Sequence, residues 1–153
     1  MRFRFILITI IALSTMVAYA KDDPRSQLLA ARSLKCHFGQ GTSTTWPSGK
    51  PKTTPAQAGT DLDINFDSID IQKRSARIIG NNGAGDVKVL ATRVGLFFIH
   101  SAPAAFDVTT VFPIYGKGRD FIAVNTSHVM TPDLFAPGAS MAEQYFGSCQ
   151  IVQ

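Results

Sequence analysis

Two thiols open the list of groups that could do chemistry. Cys36 and Cys149 are the only cysteines in a chain of 153 residues and lie near its opposite ends. Neither belongs to a C-x-x-C pair. His37, the one base beside Cys36, would point to the opposite face if the segment is a strand. The pattern predicts a structural disulfide rather than a reactive thiolate. Closing a loop of roughly 110 residues would remove chain entropy worth about 4 to 5 kcal/mol.

The remaining chemistry-bearing residues form no constellation. His37, His100 and His128 fall on three separate predicted strands. They could meet inside a barrel, but metal sites normally include a close pair of ligands in sequence, and no metal site is expected. Asp61-Leu62-Asp63-Ile64-Asn65-Phe66-Asp67 imitates the start of a calcium loop. However, Phe66 stands where the turn glycine belongs and Gln72 where the bidentate acid belongs, so the segment reads as a strand with a polar outer face. Gly80, Gly83 and Gly85 give G-x-x-G-x-G, which is neither a dinucleotide fingerprint nor a P-loop and reads as turn chemistry. There is no G-x-S-x-G. No catalytic residue and no cofactor are expected, and the chain is read as a non-enzyme. Asn125-Thr126-Ser127 fits a glycosylation sequon, idle if the chain is bacterial, as its two-arginine leader suggests.

That leader is Arg2 and Arg4, an apolar run from Phe5 to Leu13, and Ala18-Tyr19-Ala20. It reads as a signal peptide, residues 1–20, cleaved after Ala20. The apolar run is shorter than the about 20 residues a spanning helix needs, so no stable membrane anchor is expected after cleavage. A periplasmic or secreted protein follows. Losing Arg2 and Arg4 takes the basic count from 15 to 13 against 11 acids, so the net charge falls from +4 to about +2. The basic residues from Lys50 to Arg77 have no interleaved stacking aromatics, and no nucleic-acid partner is expected.

Residues 21–153 suit a single domain. Glu143 is the only glutamate, while Thr, Ser, Val, Ile and Phe abound, which favours strands over solvent-facing helices. Asp22-Asp23-Pro24 predicts a short N-terminal helix start. Leu34, Cys36 and Phe38 then alternate with polar residues as a first strand. The Thr/Ser/Pro/Gly-rich stretch 39–60, carrying the only tryptophan, Trp46, is expected to be a long loop. Beyond it, alternation predicts strands around Leu62–Ile71, Ala76–Ile79, Val87–Ala91, Leu96–His100, Val108–Phe112, Phe121–Val129 and Gln144–Val152. Gly80-Asn81-Asn82-Gly83 makes the clearest hairpin turn.

About eight strands joined by short turns imply antiparallel pairing. With Cys36 bonded to Cys149 the first and last strands become neighbours, which predicts an all-β, up-and-down antiparallel barrel; a β-sandwich is the alternative. The phenylalanine surplus exceeds what a small core needs. Trp46, Phe97, Phe98, Phe106 and Tyr115 are therefore candidates for a lined cavity or a partner surface.

In Phe66-Asp67-Ser68-Ile69-Asp70, in Ile79-Gly80-Asn81-Asn82-Gly83 and in Tyr145-Phe146-Gly147-Ser148-Cys149, the chain resembles a group of small exported bacterial proteins with a β-rich body and a Y-x-G-x-C ending. The resemblance implies compartment and fold and attaches no activity. In architecture alone the expected barrel also resembles the lipocalin or calycin type, without the G-x-W of a lipocalin first strand. The expected function is an exported binding protein for a small apolar ligand or a macromolecular partner. The alternative is a periplasmic inhibitor of a lysozyme-type enzyme or another protein-interaction module.

Overall fold

A computed structural model describes residues 23–57, 62–80, 83–130 and 140–152. Nine strands form one antiparallel sheet: β1 (Leu34–Thr45), β2 (Lys52–Gln57), β3 (Asp63–Asp70), β4 (Ser75–Gly80), β5 (Gly83–Ala91), β6 (Leu96–Ala102), β7 (Ala105–Tyr115), β8 (Phe121–Met130) and β9 (Ser140–Ile151). β1 pairs with both β3 and β9, so β1 and β3 to β9 close into an eight-stranded up-and-down barrel, with β2 as an extra strand on β1. This is the expected all-β barrel rather than the sandwich. The signal segment 1–20 lies outside the described residues.

The seam between β1 and β9 explains the Y-x-G-x-C ending. Cys36 faces Cys149 directly across the ladder, and the two are disulfide-bonded with Cα atoms 4.0 Å apart. Gly147 faces Phe38, and a Cβ there would run into the His37 carbonyl and the Phe38 ring; Tyr145 likewise lies over Gly41. Each glycine clears space for the ring opposite, so the strands close tightly over a large aromatic. Between Phe38 and Gly41, Gly39 and Gln40 form a bulge opposite Phe146. There β1 exchanges β3 for β2 as its second neighbour.

The expected loop at 39–60 is therefore corrected. Residues 39–45 continue β1, Pro47–Gly49 form a tight turn with Ser48 and Gly49 at positive φ, and 52–57 return as β2. Residues 58–60 lie outside the described residues. Neither residues 41–45 of β1 nor β2 contribute to the buried core, so the apolar alternation that marks a core strand is missing there. β-Branched threonines and ladder pairing form the hairpin without it.

Inside, alternate residues of every barrel strand meet in one core built around Phe38, Phe66, Phe98 and Phe121. Phe66 on β3 and Phe98 on β6 stack with ring centroids 3.9 Å apart, spanning the interior. Helix α1 (Pro24–Ala30) shuts one end. Asp23 caps it by accepting from the Ser26 N–H, and its Leu28 is buried. This closed end also carries the β3–β4, β5–β6 and β7–β8 turns; the opposite end carries the β1–β2, β4–β5 and β6–β7 turns.

Candidate functional site

The five aromatic candidates do not form one site. Phe98 is core, 1% exposed and stacked on Phe66. Tyr115 lies at the closed end, where its hydroxyl donates to Gln27 Oε1 at 2.8 Å and its ring packs against Phe121. Trp46 is half-buried at the tip of the β1–β2 hairpin, at the other end. Phe97 and Phe106 do share a surface, the outer face of β6 and β7, with Ile99 and Val108 paired between them.

Within the barrel, the half away from α1 carries several inward polar side chains. Asn125 and Thr109 are buried, and the Asn125 amide donates to Thr109 Oγ1 at 2.9 Å. An inward, buried Asn125 is no glycan acceptor, which removes the sequon reading. His100 Nδ1 lies 3.4 Å from Asp107 Oδ2, and the ring sits over Gly85. Asp107 also faces Ser127 across β7 and β8. The order along this row is histidine, acid, serine. A nucleophile needs the histidine in the middle, whereas here His100 and Ser127 are separated by two interstrand spacings, about 10 Å. Glu143 and Tyr145 complete the layer on β9; burial and the nearby Glu143 carboxylate raise the Tyr145 phenol above its ordinary value.

The histidines diverge. His37 faces outward on β1, 2.7 Å from Asp63 Oδ1; His100 faces inward; His128 is exposed on β8. Among the described residues no three His, Cys, Asp or Glu side chains are grouped closely enough to share a metal.

The outer wall has a sharper division. On β1, β3, β4 and β5, outward positions carry Lys35, Asp63, Asp67, Arg77, Asp86 and Lys88, with Asp67 and Arg77 3.5 Å apart. β6 to β9 contain no Lys or Arg, and their only acids, Asp107 and Glu143, occupy inward positions. Their outward face is instead apolar or neutral. One register row runs Leu90, Phe97, Thr110, Val124, Phe146 across five strands. Leu90, Phe106, Ile122 and Phe146 are each between 40% and 50% exposed. Sequence reasoning found Phe97 and Phe106 but missed Phe146, Val124 and Ile122. The available signal was the run of strands lacking any outward charge once inside and outside phases are assigned.

Comparison of the chain with protein-family models, curated proteins and solved structures finds no match. The disulfide fits an oxidising compartment, and among the described residues no helix is long and apolar enough to cross a membrane.

Proposed function

We propose that this chain is an exported, non-enzymatic β-barrel that binds a macromolecular partner through the uncharged outer wall of β6 to β9. The carrying observation is that four successive strands present no outward Lys, Arg, Asp or Glu, while the other arc presents Lys35, Asp63, Asp67, Asp70, Arg77, Asp86 and Lys88. A folded barrel needs apolar residues inward; it does not need them outward. A contiguous apolar patch of several hundred Å² is the size at which a surface usually marks an interaction site, and aromatic enrichment with charge depletion matches the centre of an interface.

An apolar ligand held deep inside is less well supported. Side chains lining a ligand-sized void keep accessible surface, whereas Phe38, Phe66, Phe98, Phe121, Leu34 and Leu96 keep 2% or less.

The test is site-specific photo-crosslinking in expressing cells, with a photoreactive phenylalanine replacing Phe97 or Phe146 on the uncharged wall and, as controls, Lys35 or Arg77 on the charged one. Discrete adducts from the first pair alone support the reading. Equal yields from both pairs, or none, overturn it.

A further inference from the structure

We propose that the closed end of the barrel docks reversibly onto an anionic lipid surface. Charge is unevenly divided along the barrel axis. Residues 23–33, 70–74, 92–95 and 116–120 together hold seven Lys or Arg against three Asp, whereas the rest of the described chain holds five of each sign. All the excess charge of the described residues therefore sits at the end sealed by α1.

The three acids there are engaged locally. Asp23 accepts from the Ser26 N–H and hydroxyl, Asp70 from the backbone N–H groups of Gln72 and Lys73, and Asp120 from the Gln150 amide. Arg25, Arg93 and Lys117 form no ion pair among the described residues. Arg25 instead donates to the Arg93 carbonyl at 2.9 Å, which brings two guanidinium-bearing segments together. Arg119 lies over the Tyr115 ring, and Tyr115 is bonded to Gln27 of α1, so the β5–β6 and β7–β8 turns and the helix present one basic face.

Apolar tips accompany the charges. Val94 projects from the β5–β6 turn and Ile114 from the end of β7, 55% and 56% exposed. Basic side chains interleaved with protruding aliphatic ones suit a bilayer surface, where the cations meet headgroup phosphates and the tips enter the acyl boundary. A soluble polyanion would use the charges and leave Val94 and Ile114 in water. Such docking needs no spanning segment. It would leave the wall of β6 to β9 upright and accessible.

Co-sedimentation with vesicles tests this, using the purified chain and variants that all share one N-terminus. Phosphatidylcholine vesicles are compared with vesicles containing about one-third phosphatidylglycerol; each basic residue near an anionic leaflet is worth about fivefold in affinity. Binding to the phosphatidylglycerol vesicles alone is expected. Arg93→Glu with Lys117→Glu should weaken it about tenfold or more, and Val94→Asn with Ile114→Asn several-fold. Lys88→Glu on the charged arc and Phe146→Lys on the uncharged wall should leave it unchanged, which separates this test from that of the partner surface. Circular dichroism melts establish that each variant is folded. Equal binding to neutral vesicles, undiminished binding by the Arg93/Lys117 variant, or complete competition by soluble polyphosphate with no effect of the Val94/Ile114 changes would overturn the proposal.

Discussion

The charged arc of β1, β3, β4 and β5 and the uncharged arc of β6 to β9 are built on one core. Phe66 comes from the first and Phe98 from the second, and the two rings lie against each other. Inward positions obey the same rule in both arcs near the closed end: buried, apolar and tightly packed. Outward positions do not. The first arc places Asp67 opposite Arg77 and Arg77 opposite Asp86, as expected for a wall that meets water. The second places Phe97, Val124 and Phe146 in one row. Since the shared core accounts for folding, the difference between the outer faces points to what each face meets.

Several substitutions would break or sharpen that contrast. The largest effect is expected where the arcs are joined: replacing Cys36 and Cys149 together by serine should lower stability by up to about 4 to 5 kcal/mol, read by urea unfolding against the oxidised wild type. Phe66→Ala and Phe98→Ala should each cost about 3 to 5 kcal/mol. Their double mutant should cost measurably less than the sum, showing that the arcs share one packed core. Gly147→Ala should cost about 1 to 3 kcal/mol, because the added methyl meets the His37 carbonyl and the Phe38 ring. Outward changes should behave differently. Phe146→Lys and Arg77→Ala should each shift stability by no more than about 0.5 kcal/mol, yet only the first should abolish photo-crosslinking from a neighbouring wall position.

The smallest effect concerns pH. Backbone N–H groups of the β3–β4 turn hold Asp70 below its ordinary value of 3.8, and hydrogen bonds from Ser26 do the same for Asp23. A carboxyl with a lowered folded-state pKa stabilises the fold above its unfolded value, and that contribution is lost as pH falls through the folded one. Stability should therefore decline below about pH 4, and Asp70→Asn should flatten part of that decline in acid titrations followed by circular dichroism.

Much of the barrel was legible in residue order. Leu34, Cys36 and Phe38 announced their inward phase by alternation, as did Tyr145, Gly147 and Cys149, and the cysteine pair predicted which strands meet. The alternation of Leu62, Ile64 and Phe66 shifts phase at Ser68 before Ile69, and there the backbone adopts positive φ at a bulge in β3. The β1–β2 hairpin was hidden because threonine-rich strands without a buried face carry no apolar alternation, and Pro55 and the glycines imitate loop punctuation. Local pattern does not separate Phe98 from Phe97, for a related reason. In Leu96-Phe97-Phe98-Ile99 both faces are apolar, so local pattern cannot tell core from wall; only pairing of Phe98 with Thr109 and Val89 fixes its side. The uncharged wall is equally non-local, because it exists only once four strands are brought together in register.

The most direct measurement is hydroxyl-radical footprinting, comparing the purified chain with the chain in an extract of its own cells. Occupation of the uncharged wall predicts slower oxidation of Phe97, Phe106 and Phe146 in the extract, with His37 and Ile79 on the charged arc oxidised at the same rate in both. Equal rates at all five positions, or protection confined to His37 and Ile79, would contradict it.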